Sequence, residues 1–166
     1  MKKLLKVLSV FVLTMALAVP VAYAADDLAK KLNDVLVKGP AEGHWQVKAD
    51  DVAAWIKDKK TDFVVVDVRA NPPGQQGGKM PGAVYIPYNE ILKPENLKKL
   101  PKDKKVVLVC VTGQTQNLPV IALRALGYDA RTMAFGHAAW IKDYLGAGIM
   151  QSAIQGAATK NYPVEK

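Results

Sequence analysis

Two runs of branched aliphatic residues constrain the fold of this chain more than any other feature. The segments "DFVVVDV", residues 62–68, and "KVVLV", residues 105–109, are apolar at nearly every position rather than at every second one. Such a run is typical of a strand covered on both faces, as in parallel sheets. Because helical segments alternate with these runs, the sequence predicts an α/β domain with an open parallel sheet and helices on both faces.

The other elements follow from hydrophobic periodicity and from turn residues. Further strands are predicted at 83–86 and 129–135, and helices at 26–37, at 50–59, from Pro94 onward, at 118–126 and at 138–145. The segment 146–160 is rich in small residues and leads to the C-terminal tail. Its stretch from Ile149 to Ile154 has two interpretations: a surface for a partner, or an ordinary C-terminal helix packed on the sheet.

The first 24 residues have the pattern of an export signal. Three lysines precede an apolar run, and Ala22-Tyr23-Ala24 places small residues where a signal peptidase reads. We therefore expect cleavage after Ala24 and a periplasmic or secreted protein without stable membrane association. An uncleaved membrane anchor is the alternative, since the run is nearly long enough to span a bilayer. The predicted organisation is a signal peptide (1–24), a helical extension (25–46) and one domain (47–166).

The charge of the chain argues against nucleic acid as a partner. Three of the 23 basic residues and none of the 15 acidic ones lie in the signal, so the mature net charge is about +5. The lysines occur in mixed runs such as "NLKKLPKDKK", without interleaved aromatic residues. Such runs are typical of solvated helix ends and loops.

Cys110 is the only cysteine of the chain and follows the second apolar strand directly. A single cysteine excludes an internal disulfide, and no spaced histidines suggest a metal site. In an open parallel sheet, ligands bind beyond the carboxyl ends of the strands, where Cys110 and "DVR" (67–69) both fall. A strand, a glycine-containing loop and a helix direct backbone N–H groups to one point, which stabilises a thiolate there. Cys110 is thus either a reactive thiol or a buried, inert one, and we favour the first.

The motifs resemble those of rhodanese-like sulfurtransferases. "VVVDVR", "GKMPGAVYIPYNEI", "VVLVCVTGQT", "ALRALGYDA" and "FGHAAW" occur in that family's order and span roughly Val47 to Leu145. The resemblance implies that 146–160 is an insertion before the closing "NYPVEK". The loop from Cys110 to Thr115 is similar to the C-x-x-G-x-T/S loops of members that handle sulfane sulfur. Related phosphatases and arsenate reductases have a loop one residue longer that ends in arginine. The arginine is missing here, so phosphate chemistry is set aside.

The resemblance implies an enzyme that moves sulfane sulfur through a persulfide on Cys110. The donor would be thiosulfate, a polysulfide or a persulfide, and the acceptor a thiol, cyanide or a protein, with no cofactor and no metal. The loop residues would bind the sulfur through their N–H groups, with two threonine hydroxyls as further donors. The implied binding residues are Val111, Thr112, Gly113, Gln114, Thr115 and Arg69.

Three questions stay open at this stage. The loop carries no charge, so the donor is unsettled, and a non-turnover sulfur carrier or partner-binding module is the alternative function. Arg69 is expected mainly to form an ion pair with Asp67 that orders the loops, with contact to an anionic donor as its second role. His137 is expected to be packed or solvent-facing, although it follows the last strand and would be near the site.

Overall fold

The computed structural model describes residues 24–160 and 163–165. They form two compact units, one that ends at Lys38 and one that begins at Gly39. The first unit contains helix α1, residues 24–36, which confirms the helix expected at 26–37. The predicted signal peptide lies outside the described residues except for Ala24. No helix in the described part of the chain is both long and apolar enough to cross a membrane.

The second unit alternates strands with helices. Its strands are β1 (Gln46–Val47), β2 (Phe63–Asp67), β3 (Val84–Tyr85), β4 (Lys105–Val109) and β5 (Asp129–Met133). Its α-helices are α2 (Ala49–Lys57), α3 (Pro94–Leu97), α4 (Asn117–Ala125) and α5 (Leu145–Lys160). Single 3₁₀ turns lie at Gly43–Trp45, Pro73–Gln75 and Gly136–Ala139.

All five strands form one parallel sheet in the order β1-β5-β4-β2-β3. The strand β4 lies at its centre, and the four residues from Val106 to Val109 are fully buried. On one side β4 pairs with β2, which carries the other valine run. The two valine-rich runs therefore occupy neighbouring interior positions of the sheet, which confirms the predicted parallel α/β architecture.

Alternation along the strands divides the core between the two faces of the sheet. On one face Val65, Val107 and Met133 form a cluster with Val52 of α2, against which Trp55 also packs. The alternate residues of each strand point to the opposite face. There α4 packs on β5 and buries Leu123. Helices thus cover both faces, as predicted.

Two elements differ from the prediction. The helix expected at 138–145 is wrong: the chain makes a short 3₁₀ turn there, and α5 begins only at Leu145. The expected helix cannot run through Asp143, whose φ is +55°. Before it, the N–H groups of His137 and Ala138 donate to the carbonyls of Cys110 and Val111, at 2.8 and 3.0 Å. The edge strand β1 was not predicted, because two residues are too short to show periodicity.

Candidate active site

Cys110 lies immediately beyond β4, at the carboxyl edge of the sheet. Its predecessor Val109 is paired with Asp67 at the end of β2, and the Val109 carbonyl accepts a hydrogen bond from the N–H of Val68 at 2.9 Å. The sheet therefore places the cysteine beside the "DVR" segment, as expected for two adjacent parallel strands.

In the loop that follows Cys110, carbonyl groups accept hydrogen bonds from the protein, whereas the N–H groups are left available. The carbonyls of Cys110 and Val111 accept hydrogen bonds from the backbone N–H groups of residues 137 and 138. The Gly113 carbonyl accepts a hydrogen bond from Asn117 Nδ2 at 2.8 Å. By contrast, none of the backbone N–H groups of residues 111–115 donates a hydrogen bond to another described residue. Five successive donors after a cysteine are suited to hold an anionic sulfur.

Two glycines allow this loop to pack directly on the turn after β5. Gly113 has φ +88°, and a Cβ there would lie 2.9 Å from the backbone nitrogen of Phe135. Gly136 has φ +55°, and a Cβ there would collide with the carbonyl oxygen of Cys110. The close backbone approach that fixes the loop is thus possible only without side chains at these positions.

Gln116 anchors the base of the loop, a role that was missed in the sequence. Its buried side-chain oxygen accepts the N–H of Cys110 at 2.8 Å, and its Nε2 donates to the carbonyl of Met133 at 2.6 Å. One amide therefore links the nucleophile's backbone to β5. No local pattern indicates this role, because it depends on a carbonyl that only the folded sheet brings near.

His137 is packed beneath the loop, as expected. Its Nδ1 lies 3.0 Å from the carbonyl oxygen of Cys110, so Nδ1 carries the hydrogen, and its Nε2 has no hydrogen-bond partner among the described residues. Burial lowers the pKa of His137, and the charge of Arg69 lowers it further, against the raising effects of the Cys110 carbonyl and Asp67. A neutral ring thus holds the backbone of Cys110.

Asp67 and Arg69 form the predicted ion pair, and both are buried. Arg69 Nε and Nη2 bind the Asp67 carboxylate at 2.9 and 2.6 Å. The remaining donors bind the carbonyls of Gln76 and Gly78 and the hydroxyl of Tyr144. Burial lowers the pKa of Arg69, but the bonds to Asp67 and Tyr144 outweigh it, so that the pKa is raised overall.

This bonding leaves Arg69 little capacity for a ligand. A guanidinium has five N–H hydrogens, and all five are engaged by the contacts just described. Contact of Arg69 with an anionic sulfur donor stays a prediction, and it would require one of these bonds to break.

Two cavities flank the loop. The first, which we call the α5 cavity, has a volume of about 490 Å³ and lies between the 75–77 turn, the loop and the start of α5. Its aliphatic lining consists of Val111, Ile141, Leu145 and Ile149, and its polar lining of Gln75, Gln76, Asp143 and Tyr144. The second, the loop cavity, measures about 300 Å³ and is lined on the loop side by Thr112, Gly113 and Gln114.

The cavities contain little charge, and the thiol is almost enclosed. No lysine or arginine is among the described residues that line either cavity, and Asp143 is the one acid. Cys110 is only 2% exposed. No group of three potential metal-binding side chains occurs in the described ranges. The arrangement is therefore an enclosed thiol with N–H donors, and the described lining of the cavities beside it contains no cation.

Comparison with known proteins shows the family of the chain. Residues 48–143 match the family model of the rhodanese-like domain. A search of curated proteins gave no match. The matched region ends before α5, so the helix that lines the α5 cavity lies outside it.

Among solved structures, the chain is similar to a rhodanese-like domain protein from Staphylococcus aureus. The two are 28% identical with a TM-score of 0.52, over 59% of this chain and 92% of that one. A protein from Lactobacillus plantarum is 19% identical with a TM-score of 0.51, over 71% and 94%. One from Bacillus halodurans is 21% identical with a TM-score of 0.50, over 65% and 79%. The last two show a shared fold alone.

Proposed function

Because this chain belongs to the rhodanese-like domain family, we propose that it is a sulfurtransferase that carries sulfane sulfur on Cys110. The observation that carries the proposal is the run of five unbonded N–H groups directly after the single cysteine. Hydrogen-bond donors of this kind favour the negative charge of a thiolate and of a terminal persulfide sulfur. The carbonyls of the same loop are held by bonds to the turn after β5, so the donors are pre-positioned.

The first step would load the cysteine. With thiosulfate as donor, the Cys110 thiolate attacks the outer sulfur, and a bond forms between Sγ and that sulfur. The bond between the two thiosulfate sulfurs breaks, and its electron pair leaves with sulfite. The products are one persulfide anion and one sulfite dianion, so charge and electrons balance without any added oxidant. With a polysulfide, the leaving group is a shortened polysulfide.

The second step would return the enzyme to its thiolate. An acceptor thiolate, or cyanide, attacks the outer persulfide sulfur, and the electron pair of the broken bond stays on Sγ. Because Cys110 is the only cysteine, no second thiol of the same chain is available to accept the sulfur. The acceptor is therefore an external small molecule or a partner protein.

A second candidate function is a sulfur carrier with negligible turnover on small donors. The observation that favours it is the enclosed thiol, 2% exposed and without a lysine or arginine in the described lining of the neighbouring cavities. Thiosulfate is a dianion, and its desolvation next to an acid such as Asp143 is unfavourable unless a cation compensates. A carrier would load sulfur from a dedicated partner instead.

Intact-mass measurement tests the proposal. Purified protein is treated with thiosulfate or with polysulfide beside Cys110→Ser as the control. We expect the wild type to gain one sulfur atom that cyanide removes, and the variant to gain none. A wild type that gains no sulfur from either donor would contradict the proposed function. If sulfur is loaded, the steady-state rate of thiocyanate formation from thiosulfate and cyanide separates the two candidates, since a carrier that depends on a dedicated donor protein gives a negligible rate.

We further propose that the protein acts outside the cytoplasm. The support is the sequence pattern of residues 1–24 alone, with small residues at the cleavage positions. The mass of the protein recovered from a bacterial envelope fraction tests this. A chain that begins at Ala25 supports export, and a full-length chain confined to the cytosol contradicts it.

A further inference from the structure

We propose that the α5 cavity binds the sulfur acceptor, and that this acceptor is a small uncharged thiol with a partly apolar body. The inference rests on the proposed function, because it assigns the acceptor of the Cys110 persulfide. It also states that the α5 cavity binds the thiol itself, and this binding is testable when no sulfur is transferred.

The position of the cavity beside the nucleophile is the first argument. Val111, the residue after Cys110, forms part of the cavity wall. Gly146, which also lines the cavity, lies so close to Val111 that a Cβ there would collide with Val111 Cγ1. The first turn of α5 thus packs on the loop itself, and a ligand in the cavity contacts the residue next to the reacting sulfur.

The lining of the cavity indicates an uncharged ligand. Among the described residues, four aliphatic side chains contribute to it, and Asp143 is the one charged residue of the lining. Although Arg69 is bonded to Tyr144 at the cavity wall, its donors are engaged and its charge is paired with Asp67. An anion here would meet an acid and no free cation, so both desolvation and repulsion disfavour it.

Size and exposed apolar surface indicate an organic molecule. A volume of about 490 Å³ falls within the range of roughly 300–1,000 Å³ that holds drug-sized ligands. Leu145 and Ile149 line the cavity and are nevertheless 79% and 63% exposed. A ligand with an apolar body would cover part of this surface, which favours its binding.

The transfer step needs no further reagent. The thiol binds in its neutral form, and its proton passes to a solvent water as its sulfur attacks the outer sulfur of the Cys110 persulfide. One S–S bond forms to the acceptor and one breaks at Sγ, which keeps the electron pair. The acceptor leaves as a persulfide anion, and Cys110 is a thiolate again.

The first experiment compares two thiols of similar size on the full-length, polysulfide-loaded protein. N-acetylcysteamine is uncharged, and 3-mercaptopropionate carries a carboxylate. At equal thiolate concentration we expect kcat/KM for the uncharged thiol to be about tenfold higher, because a buried charge without a partner is costly. Asp143→Asn should narrow this ratio, since it removes the repulsion of the anion.

Two isoleucines of α5 provide a matched pair of variants. Ile149 lines the cavity and is 63% exposed, whereas Ile154 is 64% exposed and is not part of the lining. We expect Ile149→Asp to lower kcat/KM for N-acetylcysteamine about tenfold and Ile154→Asp to change it less than about twofold. Equal effects of both variants, or equal rates with both thiols in the wild type, would overturn the inference.

A binding measurement keeps the inference separate from the proposed function. In Cys110→Ser protein no sulfur is loaded, and saturation-transfer NMR reports contact with N-acetylcysteamine alone. The signal should be lost when Ile149→Asp is added and kept when Ile154→Asp is added. If the wild type fails to load sulfur but this pattern holds, only the proposed function fails. If loading succeeds and no specific signal is seen, the cavity is not the acceptor site.

Discussion

At the scale of single residues, Gln116 shows how a buried amide supports a nucleophile without touching its sulfur. It satisfies the N–H of Cys110 and the carbonyl of Met133 at once. Both groups would be orphaned together if the amide were lost. A buried polar group without a partner costs about 1–3 kcal/mol.

We therefore predict that Gln116→Leu lowers the free energy of unfolding by about 2–4 kcal/mol and slows sulfur loading of Cys110. Gln114→Leu is the control, because Gln114 lies in the same loop and is exposed. It should change stability by less than about 0.5 kcal/mol. Urea unfolding and time-resolved intact mass measure the two effects. Similar losses of stability in both variants would show that the hydrogen bonds of the Gln116 amide do not stabilise the loop.

The buried His137 leads to a prediction about how the free energy of unfolding depends on pH. Its pKa in the folded protein lies below the ordinary histidine value of 6.5, so the unfolded chain binds the proton more readily. The contribution of neutral His137 to the free energy of unfolding is fully present above pH 6.5 and is lost as the pH falls through the folded pKa. The loss is at most about 1.4 kcal/mol per pH unit.

Replacement of His137 by Asn keeps a donor for the Cys110 carbonyl and removes the titration. The difference in unfolding free energy between wild type and His137→Asn should shift in favour of the variant as the pH falls below 6.5. Urea unfolding from pH 7.5 to 4.5 measures it. His44→Asn, at an exposed position, is the control for loss of a histidine. A pH-independent difference for His137→Asn would contradict the assigned burial of a neutral ring.

At the scale of elements, the Cys110 loop and the turn after β5 behave as one packed unit. The turn donates its N–H groups to the loop carbonyls, and the loop keeps its own N–H groups unbonded. The turn thus determines which side of the loop is available for chemistry. This division of donors and acceptors depends on the close backbone contact at Gly136.

The contact at Gly136 is testable with a second glycine that shares its backbone conformation. Gly136 and Gly127 both have positive φ, but a Cβ at Gly127 has open space around it. Gly127→Ala should lower the free energy of unfolding by about 1–2 kcal/mol, because alanine is disfavoured in the left-handed conformation. Gly136→Ala adds a collision with the Cys110 carbonyl, so we expect about 3–5 kcal/mol and slower sulfur loading. An equal loss of unfolding free energy in both variants, by thermal or urea unfolding, would mean that the loop moves to accommodate the added Cβ.

At the scale of the whole molecule, the single enclosed cysteine makes a prediction about oxidation. A disulfide between two chains requires the Sγ atoms to approach to about 2 Å, with the Cα atoms within about 7 Å. A thiol that is 2% exposed does not meet this requirement with a second copy. Mild oxidation should therefore give a monomer that carries a sulfenate or a small-thiol adduct. A disulfide-linked dimer on a non-reducing gel would show that the loop opens widely.

The sheet was predictable because its signal is local. Each valine run carries its own evidence of double coverage, and two such runs with helices between them leave few topologies. The position of Cys110 at the carboxyl edge follows directly from the end of β4. The family resemblance and the residues of the loop were readable for the same reason.

The features that were missed depend on contacts between distant segments. Gln116 is one polar residue between a loop and a helix until β5 supplies a carbonyl for it. The turn at 136–139 is held by a loop 27 residues earlier, through the N–H and the side chain of His137, and the predicted helix after it is interrupted by the left-handed Asp143. The α5 cavity likewise needs three segments in place, so no periodicity indicated it.

The bonds of Arg69 have a consequence for how this protein is redesigned. In the 71–78 loop, the atoms that Arg69 holds are the backbone carbonyls of Gln76 and Gly78, and every amino acid has a carbonyl. The attachment of the loop is therefore independent of the identity of its side chains. A library that randomises Gln75 and Gln76 should yield mostly folded proteins, so ligand preference at this edge is open to laboratory evolution while the scaffold stays intact.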